Sequence, residues 1–346
     1  MKNTLCALLA VLCCQFAFAQ QERLSHLSIE TRADYQREYI DGEAINDNCG
    51  FKGQYLNIRL DGRISDKLTY SYRQRLNRAH TSSSFFNATD WLDLRYQINE
   101  HWALSAGKQV IALGGYECAR APIDLYFGSE YGYNFTCYLF GASIAYSFSN
   151  GKDQLIAQIC ESPFRLPGED MYAYNLLWNG SHGWFNSTYS INMFEYAPGK
   201  FINHISLGSK FNVGDFSLEL DIMNRAVSNQ TFLLKDISVT GDLSYSPSQK
   251  WNFFTKVSYD VNATSKSGNR CVMPGTEITR VGAGIEYFPI EGGNRNVRLH
   301  AVFSQTFGHN SNPAGALLDK QSYLSVGLKW KVDLLALRNN LREALQ

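Results

Sequence analysis

The sequence predicts an all-β protein, a transmembrane antiparallel β-barrel of about 16 strands with short turns at one end and long loops at the other. Apolar and polar residues alternate in recurrent segments, as in Leu56, Ile58 and Leu60 against Asn57 and Arg59. Short and long connections also alternate along the chain. A soluble β-sandwich would share the first pattern, but it has no reason to sort its connections by length.

Residues 1–19 predict a secretory signal peptide. Lys2 provides a positive start, residues 5–12 form a short apolar core, and Ala17-Phe18-Ala19 is a small-x-small cleavage signal. No later apolar run is long enough to form a spanning helix. Export across the inner membrane, followed by strands with one apolar face, predicts a location in the bacterial outer membrane.

The barrel itself is predicted over residues 20–333, as one domain without a linker. Short periplasmic turns are expected at 65–67, 99–101, 149–151, 180–183, 214–215, 247–250 and 292–294. Longer external stretches alternate with them, at 37–53, 77–87, 111–134, 161–170, 197–202, 227–235, 262–275 and 308–321. Tryptophans near strand ends favour the aromatic girdles of a membrane barrel: Trp91, Trp102, Trp178, Trp184, Trp251 and Trp330.

The last residues, 334–346, follow the final predicted strand. Leu334, Leu337, Leu341 and Leu345 fall at helical spacing, which predicts a short amphipathic helix that docks at the barrel mouth or on the inner headgroups. A frayed, disordered end is the alternative.

The cysteines that follow the signal form no CxxC motif and no Cys/His cluster, so the sequence predicts neither a metal site nor a cofactor. Cys137 begins one predicted strand and Cys160 ends the next, both with polar-facing parity. A hairpin through Asn150-Gly151 would bring them close, which predicts a disulfide.

Several motifs resemble a known family. They are ISDKLTYSYRQRL at 64–76, AGKQ at 106–109, GGYE at 114–117 and APID at 121–124. This pattern is similar to the phosphate-selective porin O/P family in its Bacteroidetes branch, and the resemblance runs through nearly the whole chain after the signal. It implies a sixteen-stranded, usually trimeric porin with a basic pore lining and a long inserted loop that narrows the pore. The chain departs from such barrels by continuing through residues 334–346 after the last strand.

Side chains with polar parity are predicted to line the lumen. The basic ones are Arg59, Arg63, Arg73, Arg75, Arg95 and Lys108, and the acidic ones are Asp61, Asp93, Glu219 and Asp221. The turn at 65–67 places Arg59 opposite Arg73, and like charges in that arrangement are destabilising, which favours a role in attracting anions. Neutralisation of this wall by Asp61 and Asp93 is the alternative. Further carboxylates on later strands predict an acidic wall facing it.

The segment 111–134 is the predicted constriction loop. It is richer in aromatic residues than an ordinary exposed loop. Its predicted site residues are Tyr116, Glu117, Arg120, Asp124 and Tyr126. The resemblance implies that the loop enters the lumen, and an external loop packed on its own tyrosines is the alternative.

The functional prediction is an outer-membrane porin for passive diffusion of small hydrophilic solutes, leaning towards anions such as phosphate, and the resemblance implies that it is a trimer. The partners implied are outer-membrane lipid and further copies of the chain in a homotrimer. Basic and acidic residues balance at 32 each, which gives no field that favours nucleic acid. No catalytic motif appears, so an enzyme is not expected. A structural or adhesive barrel with a plugged lumen is the alternative.

Overall fold

The computed structural model describes residues 24–80, 85–232, 234–265 and 268–336, so the predicted signal peptide lies outside the described residues. Long antiparallel strands form one closed barrel of 16 strands, which confirms the predicted fold class. They are β1 (Leu24–Ile40), β2 (Gly50–Arg63), β3 (Leu68–Arg75), β4 (Thr89–Gln97), β5 (Trp102–Val110), β6 (Tyr138–Ser147), β7 (Asp153–Glu161), β8 (Tyr172–Ser181), β9 (Phe185–Ala197), β10 (Lys200–Val213), β11 (Phe216–Val227), β12 (Asp236–Ser248), β13 (Trp251–Asn262), β14 (Glu277–Tyr287), β15 (Val297–His309) and β16 (Gln321–Asp333).

The remaining elements are short and lie in the connections. A strand Glu43–Ala44 pairs with the end of β1. The α-helices are α1 (Tyr116–Ala119) and α2 (Glu130–Asn134), and 3-10 turns occur at Asn46–Asn48, Phe85–Asn87 and Pro122–Asp124. Across the described ranges, the search for a helix long and apolar enough to span a bilayer finds none.

The barrel closes by pairing its first and last long strands. Residues Ser28 to Ile40 of β1 pair with Asp333 to Gln321 of β16. The other edge of β1 pairs with β2. All other neighbours are consecutive in sequence, so each strand runs antiparallel to the one before it. Every strand therefore has two partners, and the sheet has no free edge.

The two faces of the barrel differ as the alternation predicts. Leu92, Leu94 and Tyr96 of β4 are 42–47% exposed on the outer face, and apolar side chains continue this belt around the barrel. Buried polar residues such as Arg32, Lys256 and Asp260 occupy the opposite face. Five tryptophans lie in this outer belt near the short-turn end, as expected for an interfacial girdle: Trp102, Trp178, Trp184, Trp251 and Trp330.

Connection lengths alternate as predicted, with two exceptions, one of which is the connection after β14, where residues 288–296 form a longer segment than the predicted turn. Short connections follow β2, β4, β6, β8, β10 and β12, whereas the long connection 111–137 follows β5. The predicted long stretch at 197–202 is wrong, because β9 and β10 continue to Ala197 and from Lys200 and only Pro198-Gly199 lies between them. Proline and glycine together favour a tight turn, and this composition outweighs the expectation from alternation.

Gly107 of β5 has no room for a side chain. Its φ is +126°, and a Cβ there would overlap the carbonyl oxygen of Leu92 on β4. We expect Gly107→Ala to lower sharply the fraction of protein that shows heat-modifiable mobility on a gel, because neither the backbone angle nor the neighbouring strand tolerates the added atom. Gly53→Ala is the matched control, since nothing lies within 4 Å of its Cβ position. Equal folding of the two variants would contradict this prediction.

The described residues include only the beginning of the predicted C-terminal helix. Residues 334–336 are helical. The backbone N–H groups of Leu335 and Ala336 donate to Oδ1 of Asp333 at 2.9 and 3.1 Å, which is the arrangement of an N-cap. Residues 337–346 lie outside the described ranges, and the amphipathic helix stays a prediction.

Candidate pore constriction

The long connection after β5, residues 111–137, runs along the inner face of the barrel and is called the constriction loop below. Gly114 is a point of close contact between the loop and the wall, since its N–H donates to Oγ of Ser190 at 2.8 Å and its carbonyl accepts from Ser206 at 2.7 Å. A Cβ on Gly114 would lie 2.6 Å from the carbonyl oxygen of Thr188. Only glycine allows the loop backbone to approach β9 and β10 this closely.

Asp221 of β11 receives the start of helix α1. Its two carboxylate oxygens accept the backbone N–H groups of Tyr116 and Glu117, both at 2.8 Å. The N–H groups at the start of a helix have no partner within the helix, so a carboxylate from the wall satisfies them. The predicted acidic residue Asp221 thus faces inwards, but it holds the loop.

Arg120 joins the loop to two further carboxylates of the predicted acidic wall. Its Nη1 lies 2.8 Å from Asp242 and its Nη2 lies 2.5 Å from Glu219, which also contacts Lys210 at 2.9 Å. Burial favours the neutral form of Arg120, but the two carboxylates outweigh burial and raise the pKa of the guanidinium. These contacts neutralise carboxylates that would otherwise face the lumen.

Glu117 makes the most buried ion pair between loop and wall. Its Oε1 lies 2.6 Å from Nζ of Lys256, and the two side chains are 8% and 5% exposed. Ser129 donates to Glu117 through its backbone N–H at 2.9 Å and also through its hydroxyl. Burial raises the pKa of Glu117, but the Lys256 ammonium and the Ser129 donors outweigh it and leave the pKa below its ordinary value.

The tip of the loop reaches the far side of the barrel. Asp124 lies 2.9 Å from Arg298 and 2.6 Å from Lys329. These cations outweigh the effect of burial and lower the pKa of Asp124. The hydroxyl of Tyr126 donates to Glu286 at 2.7 Å, and Nη1 of Arg32 donates to the carbonyl of Leu125 at 2.9 Å.

The returning part of the loop packs into an apolar cluster inside the barrel. Tyr131 and Phe135 stack with ring centroids 5.0 Å apart, and Phe135 contacts Phe194 of β9 at 5.5 Å. The Arg225 guanidinium lies 4.7 Å from the centre of the Tyr131 ring. Leu113, Phe164, Met223, Cys271 and Val272 belong to the same cluster. This side of the lumen is therefore filled.

The wall formed by β2, β3 and β4 keeps exposed inward-facing charges. Arg59 pairs in register with Ser28 and with Arg73, as the symmetric turn predicts. Arg59 binds Asp61 at 2.7 Å, yet its side chain is 46% exposed. Arg63, Arg95 and Asp93 also have inward parity, and among the described residues none of these three has an ion-pair partner within 4.0 Å.

Arg73 and Arg75 share a carboxylate that sequence reasoning missed. Asp90 accepts from Nε of Arg73 at 2.6 Å and from Nε of Arg75 at 2.7 Å. Strict alternation from Trp91 would turn Asp90 outwards, but a register shift between Arg73 and Gln74 leaves Asp90 as the extra residue of a β-bulge. A bulge redirects side chains in this way, and no single-sequence signal marks it.

Trp91 lies in the lumen and not in the outer girdle. Its ring is 3.9 Å from the guanidinium of Arg73 and 5.6 Å from that of Arg59. The ring holds the two like-charged groups of this cross-strand pair on its face, because a guanidinium over an aromatic ring is attracted by the quadrupole of the ring. The sequence assigns six tryptophans to the girdles, and for Trp91 this assignment is wrong.

Lys108 was predicted to line the pore, and this prediction is wrong. Lys108 pairs with Leu92 on one side and Phe140 on the other, and both partners belong to the exposed outer belt. Directly paired residues of an antiparallel sheet lie on the same face, so Lys108 also points outwards.

The predicted disulfide is absent. Cys137 and Cys160 are both free, because the register of β6 and β7 places Cys160 opposite Gly141 and not near Cys137. Within the described ranges, no group of three or more His, Cys, Asp or Glu residues is arranged to hold a metal ion.

Other wall residues around the loop tip were not predicted. Arg32, Arg298 and Lys329 lie on β1, β15 and β16, and all three contact the loop between Ile123 and Tyr126. Their polar parity was the available signal. Their convergence depends on barrel closure, which brings the two ends of the chain together.

A closed sixteen-stranded barrel with a connection folded along its inner face has the architecture of outer-membrane porins. A sequence model of the family "phosphate-selective porin O and P" matches residues 26–176, so the resemblance seen in the sequence is confirmed over those residues. No curated protein matches the chain.

Solved structures of porins share this fold. The outer membrane channel DcaP of Acinetobacter baumannii is 11% identical with a TM-score of 0.63, over 89% of this chain and 96% of that one. An anion-selective porin from Comamonas acidovorans is 10% identical with a TM-score of 0.60, over 89% and 99%. The trimer form of OmpT from Vibrio cholerae is 12% identical with a TM-score of 0.58, over 88% and 99%. At these identities the likeness shows the fold alone. Together, family and fold support an outer-membrane channel.

Proposed function

We propose that this protein is an outer-membrane porin that allows passive diffusion of small hydrophilic solutes and favours anions such as phosphate. The observation that carries the proposal is the charge of the inner wall formed by β2 to β4. On β2 to β4 five guanidiniums, Arg59, Arg63, Arg73, Arg75 and Arg95, face three carboxylates, Asp61, Asp90 and Asp93. A net positive wall in a narrow aqueous space raises the local concentration of anions.

The carboxylates of the opposite wall support the same direction of selectivity. Asp221, Glu219 and Asp242 bind the backbone or Arg120 of the constriction loop, and the loop covers them. A basic wall opposite an acidic wall would create an electric field across the lumen. Because the loop binds the acidic side chains, the positive charge of the basic wall dominates. Cavities of about 270 and about 200 Å³ flank the loop tip, which leaves space for hydrated solutes beside it.

The proposal includes assembly as a homotrimer in the outer membrane after cleavage of the signal peptide at residues 1–19. The family resemblance and the trimer form of OmpT support the trimer. The outer apolar belt with its tryptophan girdle supports the membrane location. A passive pore requires no catalytic residue, and the inward-facing histidines need no such role.

The experiment is reconstitution in a planar bilayer under a roughly tenfold KCl gradient, with the reversal potential as readout. We expect an anion-selective channel whose anion/cation permeability ratio falls when Arg63 and Arg95 are changed together to Gln, since these two guanidiniums lack carboxylate partners among the described residues. Arg165→Gln is the matched control, because this exposed arginine pairs with Glu161 outside the barrel lumen. An unchanged ratio in the double variant would show that the wall does not set selectivity.

A structural or adhesive barrel with a plugged lumen is the second candidate. The apolar cluster around Tyr131, Phe135 and Phe194 favours it, because it fills part of the lumen with side chains that exclude water. It predicts no conductance from protein that is folded by gel mobility, whereas a porin predicts stable current steps.

A further inference from the structure

Lys108 is a cation on the lipid-facing side of the barrel. It lies two residues before the end of β5, at the end of the barrel where the long connections are. Its ammonium is hydrogen-bonded to the carbonyl of Phe86 and lies 5.9 Å from the centre of the Phe140 ring. A lysine on the apolar face of a membrane barrel is costly near the bilayer centre and is tolerated near the interface. At this position, an anionic group would stabilise the Lys108 ammonium.

A cavity of about 500 Å³ opens beside Lys108 at this rim. Its charged lining residues are Arg75, Arg78, Asp90, Lys108, Glu161 and Arg165. Arg75 is paired with Asp90, and Arg165 with Glu161. Among the described residues, Lys108 and Arg78 are the two cations of the cavity without an ion-pair partner. The cavity therefore has two positive charges in excess, next to the exposed rings of Phe86 and Phe140.

An apolar groove of about 810 Å³ lies on the outer face of the barrel close to Lys108. Ala106, two residues before Lys108, pairs with Ala142, which pairs with Ile159. Side chains on one face of a strand are about 7 Å apart, so the groove begins one step from the ammonium. Its apolar lining residues are Leu94, Leu104, Ala106, Ala142, Ile144, Ala157, Ile159 and Tyr174.

We propose that this rim cavity and groove bind one membrane lipid with an anionic phosphate headgroup. The phosphate occupies the cavity beside Lys108 and Arg78, and one acyl chain lies along Ala106 and Ala142. Charge complementarity selects the headgroup, because a phosphate neutralises two cations that lack an ion-pair partner among the described residues. The apolar groove selects a lipid over free phosphate. The inference rests on the proposed location in a membrane, but not on conduction.

The test is native mass spectrometry of the full chain, released from detergent micelles after titration with phosphatidylglycerol or with phosphatidylcholine of the same acyl chains. We expect tighter retention of phosphatidylglycerol. The double variant Lys108→Gln/Arg78→Gln should lower that preference by at least about tenfold, since each cation near a lipid phosphate contributes about fivefold. Lys200→Gln is the matched control, because this lysine begins β10 at the long-connection end elsewhere on the barrel and does not line the cavity. Heat-modifiable mobility verifies that each variant is folded.

Two further measurements distinguish a bound lipid from the other possible occupants, a second copy of the chain and free phosphate. Ala142→Leu, which fills the groove, should weaken retention of both lipids without changing the oligomeric state. Loss of the oligomer with unchanged lipid retention would mean that a second copy covers this face, and would overturn the proposal. Equal retention of both lipids by the unaltered protein, or displacement of phosphatidylglycerol by inorganic phosphate, would also overturn it. Conductance is recorded on the same samples, so failure of the lipid site with normal conductance leaves the proposed function standing.

Discussion

Arg120→Ala is expected to lower the anion/cation permeability ratio of the reconstituted channel by a factor of about two to five, because one positive charge leaves the lumen at the constriction loop. The substitution removes the guanidinium that binds Glu219 and Asp242. Glu219 keeps Lys210, whereas Asp242 loses the one ion-pair partner that it has among the described residues. The reversal potential under a salt gradient is the measurement. We also expect larger current fluctuations, since the loop is held by two ion pairs fewer.

Arg120→Lys separates the two parts of this effect. Lysine retains the charge but not the planar fork that reaches two carboxylates at once. We therefore expect near-normal selectivity with increased current noise. If Arg120→Ala left both the ratio and the noise unchanged, Arg120 would neither hold the loop nor contribute to the field of the pore.

Lys256→Met is expected to lower the free energy of unfolding by about 3 kcal/mol, because it leaves the Glu117 carboxylate buried without its counter-charge. The pair is buried on both sides, so solvent screening is weak. The double variant Glu117→Gln/Lys256→Met should recover much of the loss, since glutamine still accepts from Ser129 while the uncompensated charge is gone. Urea unfolding in micelles, followed by tryptophan fluorescence, measures the free energies of the single and double variants. Additive losses would show that the two side chains do not interact.

The same pair predicts how the loop responds to acid. The pKa of Glu117 is lowered in the folded protein, so its contribution to stability is present above the ordinary glutamate pKa of about 4.3 and is lost as the pH falls through the lowered value. The pKa of Asp124 is shifted in the same direction. We expect the stability difference between the unaltered protein and the double variant to be constant at neutral pH and to shrink below about pH 4. A difference independent of pH down to about pH 2 would exclude Glu117 as its source.

The strands and their pairing follow from local patterns. Alternation places Leu56, Ile58 and Leu60 on one face, and the compact turn at 65–67 fixes Arg59 opposite Arg73. Both are short-range consequences of strand geometry. The prediction for Lys108 is wrong because it follows the charge of the residue and the family resemblance, whereas parity with Leu104 and Ala106 places it outside.

The candidate constriction is less accessible from sequence. Its residues Glu117, Arg120 and Asp124 were predicted as members of the loop, but their partners were not. Lys256, Asp242 and Lys329 lie 122 to 205 positions away along the chain. Their parity is visible in the sequence, yet the loop backbone has no periodic pattern that would place it against particular strands. The β-bulge at Asp90 cannot be predicted from the sequence for a related reason, since one inserted residue leaves the alternation on either side intact.

The position of the constriction loop has a consequence for the order in which the protein folds. The loop precedes β6 to β16 in the chain, and Asp124 at its tip binds Lys329 on the last strand. Contacts of such long sequence separation carry a large loop-closure entropy and form late. Simultaneous contact of the tip with Lys329 and Arg32 requires the pairing of β16 with β1, because that pairing places these two residues side by side. Until then the barrel is an open sheet around an unanchored segment, so the last step of folding both seals the wall and sets the diameter of the passage through it.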